Sequence, residues 1–138
     1  MLFSSIYIDA PPGSQVAQRI RSMLAASKHV RITATASEAE AVLKLTLEDR
    51  KKTILSLSGA GRVTEYRLGL QLSYTVSGAN QSTLAEPDLI DLSRDMTYDD
   101  ALLLAKATEE QLLYRDMDES AARRILRRLQ ALKPGNGS

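Results

Sequence analysis

The sequence holds no cysteine, no tryptophan, one phenylalanine and one histidine in 138 residues. Without cysteine there is no disulfide, no thiolate metal site and no thiol nucleophile. A single histidine excludes a His-rich metal site and most acid–base dyads. One Phe and five Tyr are too few for the stacking platforms that grip single-stranded nucleic acid. Charge of one sign is missing too: 18 Lys and Arg stand against 17 Asp and Glu, a net charge of +1. That balance leaves no broad electrostatic footprint for a polyanion. No apolar run approaches the ~18 residues of a membrane span. Met1-Leu2-Phe3 carries neither a charged leader nor a hydrophobic h-region, so no secretory signal is expected. What is present is 43% hydrophobic and 25% charged residues, the composition of one globular domain. A chain of this length buries roughly 65–70% of its unfolded surface, enough for a core without covalent or metal staples. No cofactor is expected, and no catalytic activity.

Hydrophobic periodicity sets the elements. Residues 2–8 are β-rich and closed by Asp9-Ala10-Pro11-Pro12-Gly13, a strand followed by a rigid turn. Ser14 then caps an amphipathic helix of about 14 residues whose buried side is Val16, Ala17, Ile20, Met23, Leu24 and Ser27. From residue 40 the period becomes two: Leu43, Leu45 and Leu47 alternate with polar residues, Arg50-Lys51-Lys52 reads as a turn, and residues 54–58 as a short strand. Gly59-Ala60-Gly61 breaks that strand. The clearest signal follows, with Thr64, Tyr66, Leu68, Leu70, Leu72, Tyr74 and Val76 on one side of a half-buried strand. Residues 84–96 return as a strand with Ile90 and Leu92 inward, and Pro87 places it at an edge. Thr97 reads as the N-cap of a last helix with Asp99 and Asp100 on its dipole. That helix continues through Leu104, Leu112, Met117, Ala121, Ile125 and Leu129, with Glu119 and Arg123 as an i,i+4 pair, and stops at Pro134.

The expected architecture is α+β, with elements in the order β-α-β-β-β-β-α, a βαβββα-like arrangement. Two helices pack on one face of a mixed, mostly antiparallel four-stranded sheet, a two-layer sandwich. Residues 1–133 form a single domain and 134–138 a flexible tail.

Several candidate sites reduce to ordinary structure. His29 has no carboxylate nearby and reads as a surface residue. Glu109-Glu110 reads as a solvated face, and Arg123-Arg124 with Arg127-Arg128 as a basic stripe on the last helix. Gly59-Ala60-Gly61-Arg62 begins like a phosphate loop, but Thr64 stands where a third glycine belongs and a strand follows instead of a helix. In a meander, Arg62, Arg94 and Lys106 fall at one end of the sandwich beside apolar residues, a constellation suited to an anionic amphiphile. The order α-β-β-β-α is also that of double-stranded RNA-binding domains. Those carry cations at the start of the last helix, where this chain has Tyr98-Asp99-Asp100.

The run from Gly61 to Leu68, the segment from Pro87 to Arg94, Tyr98-Asp99-Asp100, Leu104-Ala105-Lys106, Glu109-Glu110, Met117, Ala121-Ala122 and Ile125-Leu126-Arg127-Arg128-Leu129 together resemble the lipopolysaccharide-assembly lipoprotein LptE family. The likeness spreads over residues 2–132 and is densest after residue 59. It implies a non-enzymatic protein on the periplasmic face of the outer membrane that plugs the β-barrel protein LptD one-to-one and assists its assembly, with no nucleic-acid partner. It also implies two helices on a four-stranded sheet, and lipopolysaccharide binding through basic residues at one end. Lys106 matches that role directly within Leu104-Ala105-Lys106. The family's loop arginine falls at Gly59, with Arg62 nearby, and Arg94 joins them by position. The loop Gly59, Ala60 and Gly61 is the implied contact with the barrel. Family members mature to an N-terminal lipidated cysteine, which this sequence lacks, so the membrane anchor is expected outside the present chain.

Overall fold

The structure is a computed structural model that describes residues 1–132; the proposed tail at 134–138 lies outside the described residues. The strands are β1 (Ser5–Asp9), β2 (Arg31–Ile32), β3 (Ala41–Leu57), β4 (Val63–Ser77) and β5 (Thr83–Thr97). Helix α1 (Gln15–Ser27) follows β1, and α2 (Leu103–Ala131) closes the described chain. The sheet order is β2-β1-β3-β4-β5. Strand β1 is parallel to both neighbours, while β3, β4 and β5 form the antiparallel meander.

The sheet therefore has five strands where four were expected, and it is mixed. The strand the sequence hid is β2. Two residues have no periodicity to read, yet Arg31 N–H donates to the Ser4 carbonyl and Thr33 N–H to the Ile6 carbonyl, each at 2.9 Å. Helix α1 forms as expected: Ser14 Oγ accepts from Ala17 N–H at 3.0 Å, and Val16, Ala17, Ile20 and Leu24 are buried. Strand β5 sits at the sheet edge, where Pro87 needs no ladder partner for its nitrogen.

Arg50-Lys51-Lys52 is not a turn. All three lie inside the 17-residue β3, opposite Leu70, Gly69 and Leu68 of β4. A register shift between Leu45 and Leu47 explains both the misreading and the exposure of Leu47. One inserted residue reverses which side chains face the helices. Leu43 and Leu45 face the core before the shift; beyond it Glu48, Arg50 and Lys52 occupy that phase, where Arg50 and Lys52 meet the α2 carboxylates Asp118 and Glu110 and Glu48 pairs with Arg50.

Nor is Thr97 a helix cap, since it ends β5. Asp99 caps instead, accepting from Ala101 N–H at 2.9 Å at the head of a 3-10 turn over Asp100–Leu102. Helix α2 then runs unbroken for 29 residues. Its buried apolar stripe is Met117, Ala121, Ala122, Ile125 and Leu129, all in the C-terminal half. Leu104 and Leu112, expected on that stripe, are exposed. The stripe shares one core with Val16, Ile20 and Leu24 of α1, Ile6 and Ile8 of β1, Leu43 of β3 and Leu68, Leu70, Leu72, Tyr74 and Val76 of β4.

Candidate functional site

The core occupies only part of the molecule. None of residues 46–67 and none of residues 97–116 is buried. These stretches are the outer part of the β3–β4 hairpin and the first half of α2, and they run side by side as an arm. The arm carries Leu47, Ile54, Leu55, Leu57, Leu102, Leu103, Leu104 and Leu112 as exposed large apolar residues; elsewhere among the described residues there are two, Met1 and Leu89. Leu104 is 84% exposed. Apolar side chains gathered outside the core mark a surface that meets something else.

Polar and aromatic contacts hold the arm together. Lys52 Nζ lies 2.6 Å from Glu110 Oε1 and 4.4 Å from the centroid of the Tyr66 ring. The hydrogen bond to Glu110 holds the Lys52 ammonium above its ordinary pKa. Tyr66 meets Tyr98 edge to face, with centroids 5.1 Å apart and planes at 80°. Burial raises the Tyr98 phenol, with Asp100 adding to the shift. Tyr114 hydroxyl donates to the Lys51 carbonyl at 2.8 Å, tying α2 to β3. At the hairpin tip Ser58 N–H donates to the Arg62 carbonyl at 2.7 Å, and Gly61 sits at φ +79°, a left-handed position that suits glycine.

The structure brings two of the three expected cations to one end of the arm. Arg62 lines a shallow hollow with Thr64, Tyr98 and Asp99 and makes no ion pair among the described residues. Lys106 lines the neighbouring hollow with Tyr98, Met96 and Leu103. Its ammonium donates to Thr97 Oγ1 at 2.8 Å and Glu109 Oε2 at 2.9 Å. Tyr98 thus stands between them. Arg94 is not part of this group: it is held by Asp116 at 3.1 Å and by the Ser93 carbonyl at 2.8 Å. Asp116 lies about 15 Å along α2 from Lys106, at 1.5 Å per residue. Gly59, Ala60 and Gly61 form the exposed tip of the same arm. Sequence reasoning missed Lys52, Tyr66 and Glu110, because their meeting brings Glu110 of α2 to strand residues more than forty positions earlier.

Cations beside exposed leucines suit a ligand or surface that is both anionic and apolar. Among the described residues no cluster of three His, Asp or Glu could hold a metal, and no helix is long and apolar enough to cross a membrane.

No curated protein matches the chain. Solved structures do. The solution structure of lipoprotein B from Nitrosomonas europaea is 34% identical with a TM-score of 0.84, over 95% of this chain and 84% of that one. Rare lipoprotein B from Shewanella oneidensis is 27% identical with a TM-score of 0.76, over 92% and 94%. A minor lipoprotein from Acinetobacter baumannii, 19% identical with a TM-score of 0.75 over 95% and 93%, shares the fold. The family model for lipopolysaccharide assembly, LptE, matches residues 3–129, nearly the whole described chain, and the chain belongs to that family.

Proposed function

We propose that this chain is a non-enzymatic part of the outer-membrane lipopolysaccharide translocon. It sits as a one-to-one plug in the LptD β-barrel on the periplasmic side, tethered by an N-terminal lipid anchor, and binds lipopolysaccharide at the end of its arm. In this reading the two helices cover one face of the sheet as a two-layer body, and the arm reaches toward the barrel. The observation that carries it is the concentration of exposed leucines on the arm, beside Arg62 and Lys106. Acyl chains supply the apolar partner and phosphates the anionic one. The tip Gly59, Ala60 and Gly61 contacts the barrel wall. Arg94 lies away from that end, beside Asp116 in the middle of α2. A nucleic-acid reading draws little from the arm, whose two cations stand among exposed leucines and make no track for a run of phosphates.

Lys106→Asp tests the site. Lipopolysaccharide binding should weaken about tenfold or more, as loss of a charge-assisted contact worth ~1.4 kcal/mol implies. The melting temperature should fall only slightly, because the two side-chain bonds lost, to Thr97 and Glu109, lie in the arm outside the main core. Binding equal to that of the unaltered chain removes Lys106 from the site.

A further inference from the structure

Helix α2 presents two unlike sides. On one, Lys106 bonds Thr97 of β5, Glu110 meets Lys52 of β3, and Met117 enters the core. The opposite side steps by threes and fours through Leu104, Thr108 and Leu112, then Arg115, Glu119 and Arg123. From Arg115 onward this outer side is charged, as a solvated helix face is. Before Arg115 it is apolar. Leu104 is 84% exposed and Leu112 54% exposed, with Ala105 beside them. Thr108 spends its hydroxyl within the helix, donating to the Leu104 carbonyl at 3.2 Å. Helix α1 does not cover this stretch. It begins at Gln15, which shares a hollow with Gln111 and Arg115 at the stripe's far end.

The stripe is self-complementary. Thr108 stands midway between the two leucines, which lie about 12 Å apart along the axis at 1.5 Å per residue. Asp100 precedes the stripe and Arg115 follows it; both are exposed, and neither makes an ion pair among the described residues. A second stripe laid antiparallel about Thr108 sets each Leu104 against the partner's Leu112. It also brings each Arg115 to the partner's Asp100. Asp116, which would otherwise oppose that Asp100, is held by Arg94 at 3.1 Å. A parallel arrangement would set like charges together at both ends. Ala105 is small enough to let the two axes approach.

We propose that the chain, when free of any barrel, pairs with a second copy of itself through this stripe. The dimer is two-fold symmetric, with the first halves of the two α2 helices antiparallel and the axis passing near Thr108. A lipid or a barrel wall would account for the leucines, but not for unpaired charges of opposite sign at the two ends. The pairing goes beyond the plug reading and does not rest on it, and Lys106, on the other side of α2, stays outside it.

The test is sedimentation velocity of the whole chain over a concentration series. The weight-average mass should rise from that of one chain, 15.1 kDa, toward twice that value. Leu104→Asp should weaken association about tenfold or more, and its exposure lets the helix fold unchanged. Asp100→Arg and Arg115→Asp should each weaken association, and the two together should restore it. The chain has no cysteine of its own, so Thr108→Cys should cross-link two copies on oxidation faster than Arg127→Cys does. A chain that stays monomeric at every concentration overturns the proposal and leaves the stripe to another molecule. A dimer indifferent to Leu104→Asp overturns it too. A double reversal no better than either single one, or faster cross-linking at residue 127, overturns the antiparallel register.

Discussion

Tyr74 is fully buried in β4, and its hydroxyl donates to Asp88 Oδ2 at 3.0 Å. Burial, and then that hydrogen bond, push its pKa up to about 12. The fold thus favours the neutral phenol, whereas the unfolded chain ionises near the ordinary value of about 10. The stabilisation is complete below pH ~10 and is lost as pH rises through ~12, a total of about 2–3 kcal/mol. At neutral pH, Tyr74→Phe should cost about 1 kcal/mol for the lost hydrogen bond. At pH 11 that gap should close, because the unaltered chain has by then lost about 1 kcal/mol. Urea denaturation of both proteins at pH 8 and pH 11 measures it, and a gap that persists at pH 11 contradicts the burial of the hydroxyl. Residue by residue, such inward positions were plain in the sequence: Leu68, Leu70, Leu72, Tyr74 and Val76 alternate without interruption. Lys106 and Arg62 were also placed correctly at one end, because a meander returns both to it. Arg94 was not, because its fate is set by Asp116, 22 positions away, and no local pattern announces such a partner.

Among the elements, α1 and β4 were legible because each presents one unbroken face. Strand β3 was not. Its bulge reverses the alternation, and the cations that then point inward look like a turn until α2 supplies their partners. Arg50 and Asp118 form the main tie between the two elements. Asp118 is 6% exposed, and burial raises its pKa even though Arg50 opposes the shift. Arg50→Leu should therefore leave an uncompensated buried carboxylate and cost about 2–4 kcal/mol at pH 7. A raised carboxylate pKa means the charged form is the costly one, so stability falls as pH rises through the folded value. The loss in Arg50→Leu should accordingly shrink as pH is lowered from 7 to 5. Denaturation at the two pH values decides the matter. A pH-independent loss would mean that the packing of the arginine stem, and not its charge, ties β3 to α2.

At the scale of the molecule, the uneven core is the feature the sequence concealed. Period-two and helical patterns continue into the arm with the same strength as in the core, so nothing local separates Leu47 or Leu104 from Leu43 or Leu129. What separates them is where α1 ends its cover and where the bulge turns β3. The outer β3 segment, residues 46–57, extends roughly 35 Å at ~3.3 Å per residue, held by ladder bonds, tyrosines and ion pairs in place of buried apolar area. Local opening free energy follows buried contact, so the two parts should open separately. Amides of residues 54–64 should exchange through local fraying, at rates insensitive to low denaturant. Those of Leu70, Leu72 and Tyr74 should exchange only on global unfolding. Native-state hydrogen exchange over a series of sub-denaturing urea concentrations measures both classes in one experiment. An arm that exchanges with the core, along one shared isotherm, would show that the polar ties alone bind it into the cooperative unit. Separate isotherms would instead give a rigid body carrying an adaptable arm, the division of labour expected where exposed leucines must fit a partner's surface.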